Sequence, residues 1–147
     1  MVVHHHRAEA AERAQQLIAW LEAANHKVGL PAEDAATLER PDLARPEKDL
    51  GDADLALSLG GDGSMLRTVG LVADQKVPVL GVNFGHLGYL TEVEPDEAQK
   101  AVERFFAGEH QVEHRQRVQV TIEGTDCLLY TSPSPRDATL SRMPSSA

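Results

Sequence analysis

The sequence predicts an α/β fold built on a parallel sheet, and three observations carry the prediction. Leu55-Ala56-Leu57-Ser58-Leu59 and Pro78-Val79-Leu80-Gly81-Val82 are near-continuous apolar runs of strand length. Between them lie a glycine turn, Gly60-Gly61-Asp62-Gly63, and a stretch with helical apolar spacing. Strand, turn, helix and strand in so short a span make a βαβ unit, whose strands are parallel neighbours covered on both faces.

The other elements follow in chain order. Met1-Val2-Val3 reads as the end of a first strand, and His4-His5-His6 as its polar exit into a helix rather than a metal site. From Arg7 to about Asn25 the chain is Ala-rich, with Ala11, Ala14, Leu17, Ile18 and Leu21 at helical spacing and Trp20 at the edge of that stripe. His26 to Pro31 suits a short second strand stopped by proline. Residues 33–54, with eight acids, three bases and two prolines, read as a solvated, partly irregular connection without chemistry. Met65, Leu66, Val69, Val72 and Ala73 give the βαβ helix its apolar face. Pro95, Asp96 and Glu97 open a further helix, because a fixed φ and negative charge both suit a first turn. Its stripe is Ala98, Ala101, Val102, Phe105 and Phe106, and Gly108 ends it. Val112 to Ile122 alternates as a half-buried strand that leaves the α/β layer.

The chain has 147 residues, with 14 Lys+Arg against 23 Asp+Glu and a net charge of -9. That acidity argues against nonspecific nucleic-acid binding, which gathers basic residues against phosphates. No apolar run approaches the roughly 20 residues that cross a bilayer, and no export signal opens the chain, so a cytoplasmic protein is expected. Residues 125–147 differ in texture: five Ser, three Pro, the single Cys127 and balanced charge, leaving the whole net charge on residues 1–124. Such sequence reads as disordered. From Leu128 onward it also resembles translated adapter or vector sequence, most recognisably at Ser132-Pro133-Ser134-Pro135-Arg136-Asp137, so a non-native tail is expected.

Two glycine loops follow the C-terminal ends of the parallel strands, and ligands of open α/β sheets bind at that edge. Gly60, Gly61 and Gly63 let a ligand approach the backbone at a helix N-terminus, whose N–H groups and dipole favour phosphate. A local nest of this kind can hold phosphate on an acidic protein. Asp62 is either a helix N-cap or a carboxylate that takes a proton, helps hold a metal or hydrogen-bonds a hydroxyl; the last three are all useful in phosphoryl transfer. Arg67 can pair with a phosphate or with a carboxylate of the helix face. In the second loop, Asn83-Phe84-Gly85-His86-Leu87-Gly88, Asn83 is a turn former or an amide partner. Tyr89 beyond it is a core aromatic or a stacking surface for a base. His86 has no metal-ligand partner at a recognisable spacing, and no metal site is expected.

Gly60-Gly61-Asp62-Gly63-Ser64-Met65-Leu66-Arg67, followed by Gly81-Val82-Asn83-Phe84-Gly85-His86-Leu87-Gly88-Tyr89-Leu90-Thr91-Glu92, resembles the N-terminal half of bacterial NAD kinases. The first motif is shared with diacylglycerol, sphingosine and phosphofructokinase-like relatives; the second singles out NAD kinase. The resemblance covers residues 1–124 and implies a Rossmann-like domain of the NAD kinase/diacylglycerol kinase-like superfamily. It implies Asp62 as general base toward the adenosine-side ribose 2'-OH of NAD, with Asp62, Gly63 and Arg67 contacting NAD. Gly60 and Gly61 belong to the same loop, Asn83 to the second motif, and Tyr89 with Leu90 to the adenine side of the pocket. ATP or polyphosphate with Mg²⁺ or another divalent cation would be the donor, and the full-length protein a homo-oligomer.

The family's β-rich C-terminal domain, which carries an Asn-Glu motif, is not in these residues. The expected division is therefore an α/β domain over 1–112, the start of the β-rich domain over 113–124 and the tail over 125–147, and the fragment alone is expected to be inactive. A lipid kinase-like protein or a non-catalytic nucleotide-binding remnant are the alternatives.

Overall fold

A computed structural model describes residues 1–3, 8–84, 89–91, 93–121 and 128–131. The histidine run 4–6, the glycine-rich stretch 85–88 with His86, Glu92, Ile122, Gly124, Cys127 and residues 132–147 lie outside the described residues. The chain divides into two compact units, Met1–His110 and Gln111–Ala147.

In the first unit, β1 (Val2–Val3), β2 (Ala56–Gly60) and β3 (Val79–Asn83) form a three-stranded parallel sheet in the order β1-β2-β3. The expected βαβ unit is present, with α3 (Asp62–Val72) as its crossover. Register places Leu59 beside Val82 and Leu57 beside Leu80. This face packs against α1 (Ala8–Ala23) through Ala14, Leu17, Ile18 and Leu21, and against α4 (Ala98–Phe106) through Ala98 and Val102. The alternate residues Ser58 and Gly81 face α3, whose Met65 lies beside Gly81. Coverage of both faces explains why the strands read as continuous apolar runs rather than alternating ones.

Helix ends are set by left-handed residues. Asn25 (φ 62°) closes α1, with the His26 N–H donating to the Leu21 carbonyl and the Asn25 N–H to that of Glu22. Gly108 (φ 76°) closes α4 in the same way, as its sequence position predicts.

Several expectations are corrected. His26 to Pro31 forms no strand; only a bridge between Leu30 and Ala44 is present, since this segment has no neighbouring strand to complete a ladder. Residues 33–54 are not merely solvated: α2 (Ala32–Thr37) with the Leu38 that follows it, and a 3-10 turn at Pro41–Leu43, bury Ala35, Leu38 and Leu43 in the core, along with the carboxylate of Asp34, while a second 3-10 turn at Glu47–Asp52 buries none of its residues. The buried stripe of α3 is Ser64, Thr68 and Val72, while Leu66 is 48% exposed. Small residues at four-residue spacing let α3 lie close to the sheet, and the Thr68 hydroxyl donates to the Ser64 carbonyl at 2.8 Å. On α4, Phe106 is half exposed and stacks on His26, with ring centroids 4.3 Å apart.

In the second unit, β4 is confined to Val118–Thr121, and Gln111–Arg117 is exposed and irregular. β4 pairs antiparallel with β5 (Leu128–Thr131), Val118 opposite Thr131 and Thr121 opposite Leu128. The reading of 125–147 as lacking regular structure therefore fails at these four residues. Ser/Pro composition dominates the stretch as a whole, but Leu-Leu-Tyr-Thr has strand propensity of its own and finds a partner ladder.

Candidate active site

The C-terminal ends of β2 and β3 lie side by side, with Gly60 in register with Asn83. Beyond them the Phe84 N–H donates to the Gly60 carbonyl at 2.9 Å, so the two loop starts are tied before they diverge. Helix α3 begins at once: the Met65 N–H donates to the Gly61 carbonyl at 3.1 Å, which makes Gly61 the N-cap and Asp62 the first helical residue. The N-cap reading of Asp62 is thereby excluded.

The Asp62 carboxylate instead crosses to the second loop. The Tyr89 N–H reaches Oδ1 at 3.2 Å and Oδ2 at 3.1 Å, and the Leu90 N–H reaches Oδ1 at 3.0 Å. Two main-chain donors 27 and 28 residues away hold one side chain, so the loops form a single constellation. A carboxylate offers about four lone-pair sites. The two amides orient it and leave acceptor capacity for a further hydroxyl.

The second loop is itself clamped to the sheet. The chain returns beside β3 through a parallel bridge between Val82 and Val93, with the Asn83 N–H donating to the Val93 carbonyl at 2.8 Å. Thr91 is buried against Gly81, where a Cβ would stand 2.9 Å from Thr91 Cγ2. The hydroxyls of Thr91 and Ser58, which flank Gly81, are buried and have no hydrogen-bond partner among the described residues. Gly61 and Gly63 differ: among the described residues a Cβ there would meet nothing within 4 Å, and neither has a left-handed φ. Among the described residues, packing does not require glycine at either position.

Arg67 is engaged by two carboxylates of α2. Its Nη1 donates to both oxygens of Asp34 at 3.0 Å, and its Nη2 to Glu33 Oε2 at 3.3 Å. Of the two pairings open to it in the sequence, the carboxylate one is formed, on α2 rather than on its own helix. Asp34 and Glu33 were missed because they lie in a stretch that reads as solvated, and an acid-rich sequence gives no sign of which carboxylate is buried. The Tyr89 ring is 55% exposed, so the core-aromatic reading is excluded; Leu90 is half-buried. Among the described residues no group of three His, Cys, Asp or Glu could hold a metal, and no helix is long and apolar enough to cross a membrane. A cleft of about 840 Å³ opens at the opposite sheet edge, between Leu55, Leu71, Val102 and Phe106, and neither Gly60–Gly63 nor Asn83 lines it.

Comparison with known proteins bears directly on this constellation. Residues 1–110 match the family model of the ATP-NAD kinase N-terminal domain. The NAD kinase of Symbiobacterium thermophilum is 37% identical over 145 residues, covering 98% of this chain and 51% of that protein. That of Moorella thermoacetica is 37% identical over 123 residues, covering 84% and 40%. That of Methanothermobacter thermautotrophicus is 39% identical over 115 residues, covering 77% and 40%. The chain thus spans about half the length of these relatives, or less. A crystal structure of yeast NADH kinase complexed with NADH has the same fold, with a TM-score of 0.67 at 24% identity over 83% of this chain and 42% of that one. With a matching domain over three quarters of its length and a glycine-loop edge in the matched region, this chain belongs to the NAD kinase family.

Proposed function

We propose that this chain is the nucleotide-binding part of an NAD kinase that moves the terminal phosphate of ATP or polyphosphate to the adenosine-side ribose 2'-OH of NAD. The observation that carries this reading is the Asp62 carboxylate, at a helix N-terminus and held by the Tyr89 and Leu90 amides. In the proposed reaction the 2'-OH donates its hydrogen bond to a remaining lone pair of Asp62. As the hydroxyl oxygen bonds to the terminal phosphorus, its proton passes to Asp62 and the bond to the leaving phosphate breaks. The N–H groups of the first turn of α3, around the open Gly61 and Gly63, would face the phosphates.

A divalent cation such as Mg²⁺ would arrive with the donor and spread the charge of its phosphates. The described residues do not form a resident cage for it. Gly60, Gly61, Asp62, Gly63, Arg67, Asn83, Tyr89 and Leu90 are the proposed nucleotide-binding residues. We assign 1–112 to the nucleotide domain and 113–124 to the start of a β-rich domain, in a cytoplasmic homo-oligomer without nucleic-acid or membrane partners.

The test is Asp62→Asn in the full-length enzyme. Asn retains an acceptor for the loop amides but cannot take the proton, so kcat should fall about 10²- to 10⁴-fold with the melting temperature nearly unchanged. Turnover close to wild type would remove Asp62 from the mechanism. The 147-residue chain alone should form little NADP, because positioning supplies most of the catalysis in phosphoryl transfer; robust turnover would overturn that expectation.

A further inference from the structure

Arg67 is held by two carboxylates of different character. Asp34 is fully buried and meets Nη1 with both oxygens, whereas the Glu33 side chain is 79% exposed and touches Nη2 with one, at a longer 3.3 Å. The Arg67 side chain is one-third exposed, and its guanidinium carries five N–H donors, of which these contacts use about three. One partner is therefore placed to stay and the other to leave.

We infer that Asp34 is a positioning residue that fixes the Arg67 guanidinium, and that Glu33 is an exchangeable carboxylate occupying the Arg67 edge that an anionic phosphate of the bound nucleotide takes over. A buried carboxylate facing Nη1 fixes the plane of a rigid fork, so the edge bearing Nη2 is held in place before ligand arrives. The solvated Glu33 contact is weak enough to be displaced. The identity of the anion rests on the kinase reading; the arrangement around Arg67 does not.

The two acids therefore have opposite effects on binding. In titrations of the full-length enzyme with NAD, Asp34→Asn should weaken binding about tenfold or more, as a mispositioned clamp does. Glu33→Gln should tighten it about two- to fivefold, the range of an exposed ion pair. General charge reduction would also tighten binding, so Glu33→Gln is repeated in an Arg67→Gln background, where the gain should vanish. Side-chain NMR of Arg67 should show slowed rotation about Cζ–Nη1 in wild type and in Glu33→Gln, and fast rotation in Asp34→Asn.

Shifts of the same sign for both acids, a Glu33→Gln gain that persists without Arg67, or unaltered Arg67 rotation in Asp34→Asn would each overturn the inference while leaving the kinase reading intact. If NAD does not bind but inorganic pyrophosphate shows the opposite-sign pattern, the kinase reading fails and the Arg67 arrangement stands. Should neither probe show it, the inference is overturned.

Discussion

Gly81 in β3 and Gly61-Gly63 at the mouth of α3 lie in the same βαβ unit, yet they are glycine for opposite reasons. At Gly81 a Cβ would stand 2.9 Å from Thr91 Cγ2 and 3.3 Å from both Thr91 Cα and Met65 Sδ. At Gly61 and Gly63 it would meet nothing within 4 Å among the described residues, on a backbone without a left-handed φ. A glycine that the fold itself requires belongs to structure; open space alone, which Gly70 of the same helix also has, does not mark a site, and it is the place of Gly61 and Gly63 beside Asp62 at the helix N-terminus that makes them candidates for ligand contact. The contrast also ties the two regions together, because Thr91, seated on Gly81, is the next residue after the Tyr89 and Leu90 amides that hold Asp62.

The largest effect should come from filling the crowded position. Gly81→Ala should destabilise the chain by about 1–3 kcal/mol, the usual cost of overpacking, because Met65 can yield but the Thr91 backbone lies two residues before the Val82–Val93 bridge that holds this segment to the sheet. Activity of the full-length enzyme should fall with it, as the return segment lifts away from Asp62. Adding Thr91→Ser removes Cγ2 and should recover at least half of the lost stability in thermal unfolding. A Gly81→Ala variant as stable as wild type would mean that Thr91 does not clamp the loop.

The sheet, the βαβ crossover and the placing of both loops at one edge were legible in the sequence, because apolar runs and glycine turns are local signals. So was Gly108 as the stop of α4. Long-range polar pairings were not. No spacing rule says that the Asp62 carboxylate will find main-chain donors beyond a second loop, or that Arg67 will turn to Asp34, since both depend on how elements pack rather than on neighbours in the chain. The α3 stripe held at Val72 but missed elsewhere for a related reason: apolar periodicity favoured Leu66 and Val69, whereas close approach to β2 selected the smaller Ser64 and Thr68.

Filling the open positions should separate stability from binding. Gly63 lies in the first turn of α3, so Gly63→Ala should stabilise the chain by up to about 1 kcal/mol through reduced freedom of the unfolded state. The same methyl group would stand between the helix N-terminus and an approaching phosphate, and NAD affinity should fall about tenfold or more. Gly61→Ala should lower affinity similarly with little change in melting. If both variants bind NAD as wild type does, the openness of this turn has nothing to do with ligand and the contrast with Gly81 collapses.

Glu39 supplies the smallest effect and a third kind of case, in which the conformation asks for glycine and the sequence does not provide it. It closes α2 at φ 55°, with its N–H donating to the Ala36 carbonyl and the Arg40 N–H to that of Ala35. An L-residue pays about 1 kcal/mol for that geometry. Its side chain is exposed and lies at the far end of α2 from the Glu33-Asp34 pair. Glu39→Gly should therefore raise the melting temperature by roughly 3–5 °C for a chain of this size and leave NAD affinity unaltered. Taken with the other variants, this isolates what glycine contributes by conformation alone. If Glu39→Gly stabilises while Gly63→Ala also stabilises, substitutions in opposite directions have each relieved a local cost, and only the second should lose ligand.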